Sequence, residues 1–270
     1  MKLKELLKLP STKPKLLKRA LARRPVQPNA IRAAYYRAIK TRVLGTLRAL
    51  LTERVVKRAA PILSRFRQDG PTDELDALFD DVERDFFNVV WTKPNVKRLS
   101  LEYAGSLERL HRKTLNDRLR PAVGIDVFGN EPWLYGKLEE FTAQNTALIR
   151  NMASDTINQI NREVVRLAPT GLRAESMAKI ISERLGVADS RAALIARDQA
   201  GKFFGELDRT RQTDLGITEY IWNTVNDGRV RPEHEERQGQ TFKWSDPPED
   251  GHPGQAVNCR CYAEPKLPGE

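Results

Sequence analysis

Two of the three histidines and both cysteines of this 270-residue sequence fall in one stretch, residues 226–261, NDGRVRPEHEERQGQTFKWSDPPEDGHPGQAVNCRC. Zinc favours thiolate and imidazole ligands, and two sulfurs with two nitrogens complete a tetrahedral site. Cys259 and Cys261 are two apart, so in extended chain both sulfurs face one way and Arg260 the other. Residues that close do not readily form a mutual disulfide. His234, His252, Cys259 and Cys261 are therefore the candidate ligands of a structural zinc. Two other readings stand beside it: buried thiols acting as small hydrophobes, and a disulfide to another chain. No other cofactor is expected.

The turn DGRVRPEHE carries a second constellation, Asp227, Arg229, Arg231 and His234. A histidine near a carboxylate and cations is the material of general acid–base catalysis. A metal-assisted nuclease or transferase acting on a polyanion would use Asp227, Arg231, His234 and His252. The other reading is a structural network of Asp227, Arg229, Arg231, His234 and Arg260. It would pin long loops whose backbone polar groups need partners. No nucleophile pattern accompanies these residues, and the metal-ligand set is incomplete. The network is the favoured reading.

The elements that must hold these residues follow from hydrophobic periodicity. Pro10, Pro14, Pro25 and Pro28 punctuate residues 1–28, which read as a basic arm with at best short helices. A long helical pattern runs from Asn29, a candidate N-cap, to about Gln68, with Leu44, Leu47, Leu51 and Val55 on one face. An acidic helix follows, with Thr72 as candidate cap and Leu75, Leu78, Val82 and Phe86 as its buried stripe. Helices are predicted at about 95–119 and 132–167, the second with an apolar stripe interrupted at Asn145. A short helix stopped at Gly186 and a longer one from Asp189 or Ser190 to Gly216 complete the series. Beyond Gly216, ITEYIWNTV alternates and is rich in β-branched and aromatic residues, so it reads as a strand; QTFKW and NCRCYAEP read as two more. The expected fold class is α+β, with a mostly α-helical N-terminal two-thirds of long helices and a small C-terminal α+β module with a short antiparallel sheet. The expected divisions are 1–28, 29–168 and 169–270.

Charge is unevenly spread. Residues 1–70 hold 19 Lys/Arg against 3 Asp/Glu, and the other 200 hold 27 against 33, so the overall +10 is concentrated at one end. Lys13, Lys15, Lys18, Arg19, Arg23 and Arg24 are the candidate contacts to double-stranded DNA, because phosphates reward clustered cations whatever the base sequence. A solvated tail and a dock for an acidic protein are the other uses of such an end. No apolar run approaches eighteen residues, so no membrane contact is expected. The first residues do not read as a signal peptide, and two cysteines are no disulfide framework. Synthesis in a reducing cytoplasm is expected.

From about residue 170 the chain carries Ile195-Ala196-Arg197, Leu215-Gly216-Ile217 ahead of Trp222, Asp227/Arg229/Arg231/His234, Gly239 with Phe242, Pro247-Pro248, His252 and Asn258-Cys259-Arg260-Cys261. In this order the motifs resemble the C-terminal domain of the phage head-morphogenesis family, typified by minor head proteins of phages Mu and SPP1. The resemblance covers about residues 170–265, is loose over 120–170, and says little about 1–110. It implies a minor capsid protein inside the head of a tailed phage, near the portal vertex. The implied partners are the portal protein, the scaffold, the major capsid protein and packaged DNA, with the host cytoplasm as the place of assembly. It implies no established catalytic activity.

Overall fold

Residues 3–65 and 72–266 are described by the computed structural model. The first two helices are short, α1 (Leu3–Leu6) and α2 (Pro14–Leu21), the latter opened by a proline at a position whose N–H has no helical partner to lose. Leu3, Leu6, Leu17, Ala20 and Leu21 are nevertheless buried, in one cluster with Leu119, Ala122, Val123, Phe128, Leu215 and Ile217. Backbone bonds hold them there: Leu3 N–H donates to Leu215 O and Lys13 N–H to Ala122 O, both at 2.7 Å. These five apolar residues thus pack into a core, while Leu7, Leu16 and Val26 stay exposed beside the lysines and arginines of residues 3–28.

Residues 29–65 form one unbroken helical run. It comprises α3 (Asn29–Ala38), a π segment (Ile39–Leu44), α4 (Gly45–Leu50), a second π segment (Leu51–Val56) and α5 (Lys57–Arg65). The expected end at Gln68 lies outside the described residues. Tyr35, Ile39, Val43, Leu47, Leu51, Val55 and Ala59 are all buried, every fourth residue. Four residues of α-helix turn about 400°, so six such steps would rotate a purely α-helical stripe about 240° away from the core. The i→i+5 bonding of π turns takes in more residues per turn and offsets that drift.

The helices that follow are α6 (Thr72–Asp85), extended by a π segment (Phe86–Val90), then α7 (Lys93–Val123), α8 (Leu134–Leu167) and α9 (Ala174–Asp214). On α6, Leu75, Val82 and Phe86 are buried as expected, but Phe79 is the fourth core residue and Leu78 is only half-buried. Asn145 does not interrupt the α8 stripe. It is fully buried within it, donating to Phe141 O at 3.0 Å and accepting from the Tyr35 hydroxyl at 3.4 Å. Gly186 does not stop a helix either, since α9 runs through it for 41 residues. A helical glycine costs about 1 kcal/mol relative to alanine, and the buried Leu185, Ala188 and Ala192 around it outweigh that.

The sheet is β1 (Glu219–Asn223), β2 (Thr241–Lys243) and β3 (Tyr262–Pro265), antiparallel in the order β2-β1-β3, with α10 (Pro232–Glu236) between the first two strands. Register is set by Tyr220 opposite Phe242 and Trp222 opposite Ala263. Tyr220, Trp222, Trp244 and Ala263 fill one face, with Phe242 and Cys261 packed against them. The third strand is shorter than the sequence suggests. Asn258 adopts a left-handed backbone (φ 55°), so Cys259 and Cys261 lie in irregular chain ahead of β3. The fold is α+β, with long helices and a small C-terminal antiparallel sheet, as the sequence leads one to expect.

The chain divides into two compact units. One gathers Met1–Arg32, Tyr103–Leu138 and Arg197–Glu270; the other gathers Ala33–Glu102 and Glu139–Ala196. The residues singled out by sequence for chemistry all fall in the first. Among the described residues no helix is long and apolar enough to cross a membrane.

Candidate functional site

Arg231 is extended and Pro232 opens α10, so the chain turns sharply and His234 enters the first unit on the first turn. Its ring is 2% exposed, edge-on to Trp222 at 5.1 Å. Nε2 lies 2.6 Å from Asp250 Oδ2, while Nδ1 lies 3.6 Å from Cys259 Sγ and 3.3 Å from Cys261 Sγ. Arg237 braces the same carboxylate at 2.5 Å and stacks its guanidinium over Trp222. Partial burial opposes ionisation of Asp250, but the bonds from His234 and Arg237 hold its carboxyl below the ordinary range. The hydrogen bond shared by the thiols separates their pKa values, lowering that of Cys259 against its burial and raising that of Cys261.

His252, the fourth expected ligand, is not part of this cluster. Its Nδ1 pairs with the Tyr220 hydroxyl at 3.0 Å, and its ring lies against Trp244 with centroids 4.8 Å apart. Burial, helped by the positive charge of Arg209, lowers its pKa and favours the neutral ring. Of the expected metal set, the structure brings together His234, Cys259 and Cys261, with ligand atoms all within 4.8 Å of one another.

The expected ionic network is split as well. Asp227 binds Arg260 closely and Arg229 at 3.4 Å, Arg231 donates to Val257 O at 2.8 Å, and His234 belongs with Asp250. Asp227, Arg231, His234 and His252 thus engage separate partners and share none. α9 anchors the far side of the loop: Arg197 donates to Asn258 Oδ1 and Asp198 accepts from Asn258 N–H, each at 2.8 Å. Close packing is enforced at Gly205, where a Cβ would stand 2.7 Å from Pro253 O.

Beside this cluster lies a cavity of about 590 Å³ whose lining includes Arg24, Arg32, Arg197, Arg229 and Arg260. Burial lowers the pKa of Arg32, and nearby Arg197 and Arg260 lower it further, so cations crowd this wall. All six arm residues expected to meet DNA (Lys13, Lys15, Lys18, Arg19, Arg23 and Arg24) are exposed, and Arg24 is shared with the cavity.

One charged cluster escaped the sequence reading. Arg211, 1% exposed, donates to both oxygens of Glu131 at 2.7 Å and to Glu108 at 2.8 Å, and its Nη1 lies 2.6 Å from His111 Nδ1. His111 Nε2 in turn meets Asp208 at 2.9 Å. The available signal was the third histidine, inside a helix, at helical spacing from Glu108; the partners lie about a hundred residues further along the chain.

Residues 158–264 match the family described as Phage Mu protein F like protein. A Haemophilus influenzae protein described as uncharacterized is 33% identical over 157 residues, which cover 57% of this chain and 35% of that relative. The chain therefore aligns with about a third of the relative's length. No solved structure matches the chain.

Proposed function

From the match of residues 158–264 to the Phage Mu protein F like family, we propose that the chain is a minor capsid protein of a tailed phage. In this reading it docks on the portal inside the head, meets the scaffold and major capsid protein during assembly in the host cytoplasm, and contacts packaged double-stranded DNA. The family match carries the head-assembly part. The DNA contact is supported by the six exposed cations of residues 13–24 and by the arginines of the cavity. Clustered cations at a surface gain affinity for phosphate by releasing its counterions, whatever the base sequence. An enzyme working through Asp227, Arg231, His234 and His252 draws no support from the geometry, because those side chains do not converge.

The portal is proposed to bind the helical unit of residues 33–102 and 139–196, whose exposed Val89, Val90 and Val187 offer apolar contact. The full chain should co-purify with the portal, and cross-links should concentrate on that unit. Cross-links confined to residues 197–266 would reverse the assignment, and absence of co-purification would refute docking.

A further inference from the structure

Among the described residues, one group of possible metal ligands converges, at His234 Nδ1. We propose that His234 Nδ1, Cys259 Sγ and Cys261 Sγ bind one Zn²⁺ ion, with a solvent molecule as the fourth ligand. The inference does not depend on a role in the phage head.

Distance makes the first argument. With Zn–S near 2.3 Å and Zn–N near 2.05 Å, a tetrahedral site sets sulfur and nitrogen roughly 3.6 Å apart. The two separations here are 3.6 and 3.3 Å. Ring orientation makes the second. Asp250 takes the Nε2 proton, so in the neutral ring the Nδ1 lone pair is turned toward both sulfurs. The third argument is the outer shell. A carboxylate on the far nitrogen fixes the ring and makes the ligating nitrogen more basic, and Asp250, itself braced by Arg237 and set beside Trp222, is so placed. Two thiolates and an imidazole select zinc over magnesium or calcium, which favour oxygen ligands. Among the described residues no fourth protein ligand joins the group, and His252 is committed to Tyr220. On binding, the thiol protons pass to solvent, so uptake should release protons in proportion to the thiol fraction.

The test uses the full chain, purified under reducing conditions, stripped of metal and titrated with Zn²⁺ and separately with Co²⁺. The expected result is one equivalent of either ion, and for cobalt a tetrahedral visible spectrum with a thiolate-to-metal charge-transfer band. Cys259→Ser and Cys261→Ser should each weaken that band, and His252→Asn should leave it and the stoichiometry unchanged. Asp250→Asn should keep the stoichiometry and lower zinc affinity about 10–100-fold. The parent titration decides the matter even if a cysteine variant fails to fold. A folded, reduced parent that takes up neither ion, or a cobalt complex without a thiolate band, overturns the proposal. So does loss of the band in a folded His252→Asn chain.

Discussion

At Arg211, one side chain satisfies two buried carboxylates and meets a histidine, with 1% of its surface exposed. Burial pulls its pKa down, but Glu131 and Glu108 reverse that and raise it above the ordinary value. A buried ion pair is weak support for stability in itself, yet removing one member leaves the others charged and unpaired. Arg211→Met should therefore cost about 3–5 kcal/mol in urea unfolding. Adding Glu108→Gln and Glu131→Gln to the same chain should recover a substantial part of that loss. A single variant as stable as the parent would show that solvent, rather than Arg211, satisfies the glutamates. The contrast with Asp227 is instructive: it too is paired with arginines, but near the surface, where water takes over when a partner is lost.

Among the elements, α9 does the most to position the candidate site, through Arg197 and Asp198 on Asn258 and through Gly205 beneath Pro253. The start of α8 joins it by Lys137, 2.7 Å from Glu206, which also takes a bidentate bond from Arg209. Burial opposes ionisation of Glu206, but Arg209 and Lys137 hold its carboxyl below the ordinary 4.5. The folded state thus binds this proton less readily than the unfolded chain. The stabilisation is complete above about pH 4.5 and is lost as pH falls through the folded value. Glu206→Gln should accordingly lower the melting temperature at pH 7, with the gap to the parent closing in acid below that point. A gap that stays constant down to pH 3 would count against the ion pairs as its source.

For the whole molecule, the decisive quantity is where charge sits relative to burial. Residues 3–28 place Leu3, Leu6, Leu17 and Leu21 in a core and their cations outside, so charge substitution, and not deletion, isolates a DNA contact. If six phosphates are neutralised, affinity for duplex DNA should fall by roughly 10³ between 50 and 200 mM salt, without sequence preference. Changing Lys13, Lys15, Lys18, Arg19, Arg23 and Arg24 to alanine should flatten the log–log slope by about 5 with the melting temperature retained. An unchanged slope would move the contact elsewhere, the cavity arginines being the next place to look.

Local rules made much of this protein readable from sequence. Period-two alternation gave the first strand, spacing along residues 44–55 gave the buried face of the long helix, and motif order gave the head-morphogenesis resemblance. Such signals survive because backbone periodicity depends on neighbours a few residues away. Tertiary structure decided the rest. It carried α9 through Gly186, put Asn145 into a core, and bound Ser11 to Val123 O at 112 residues' remove. It also gave His234 to the cysteines and His252 to Tyr220, a choice between two chemically equal rings. Sequence spacing is silent on that choice, because which ring reaches the sulfurs depends on how two long loops fold back across β1.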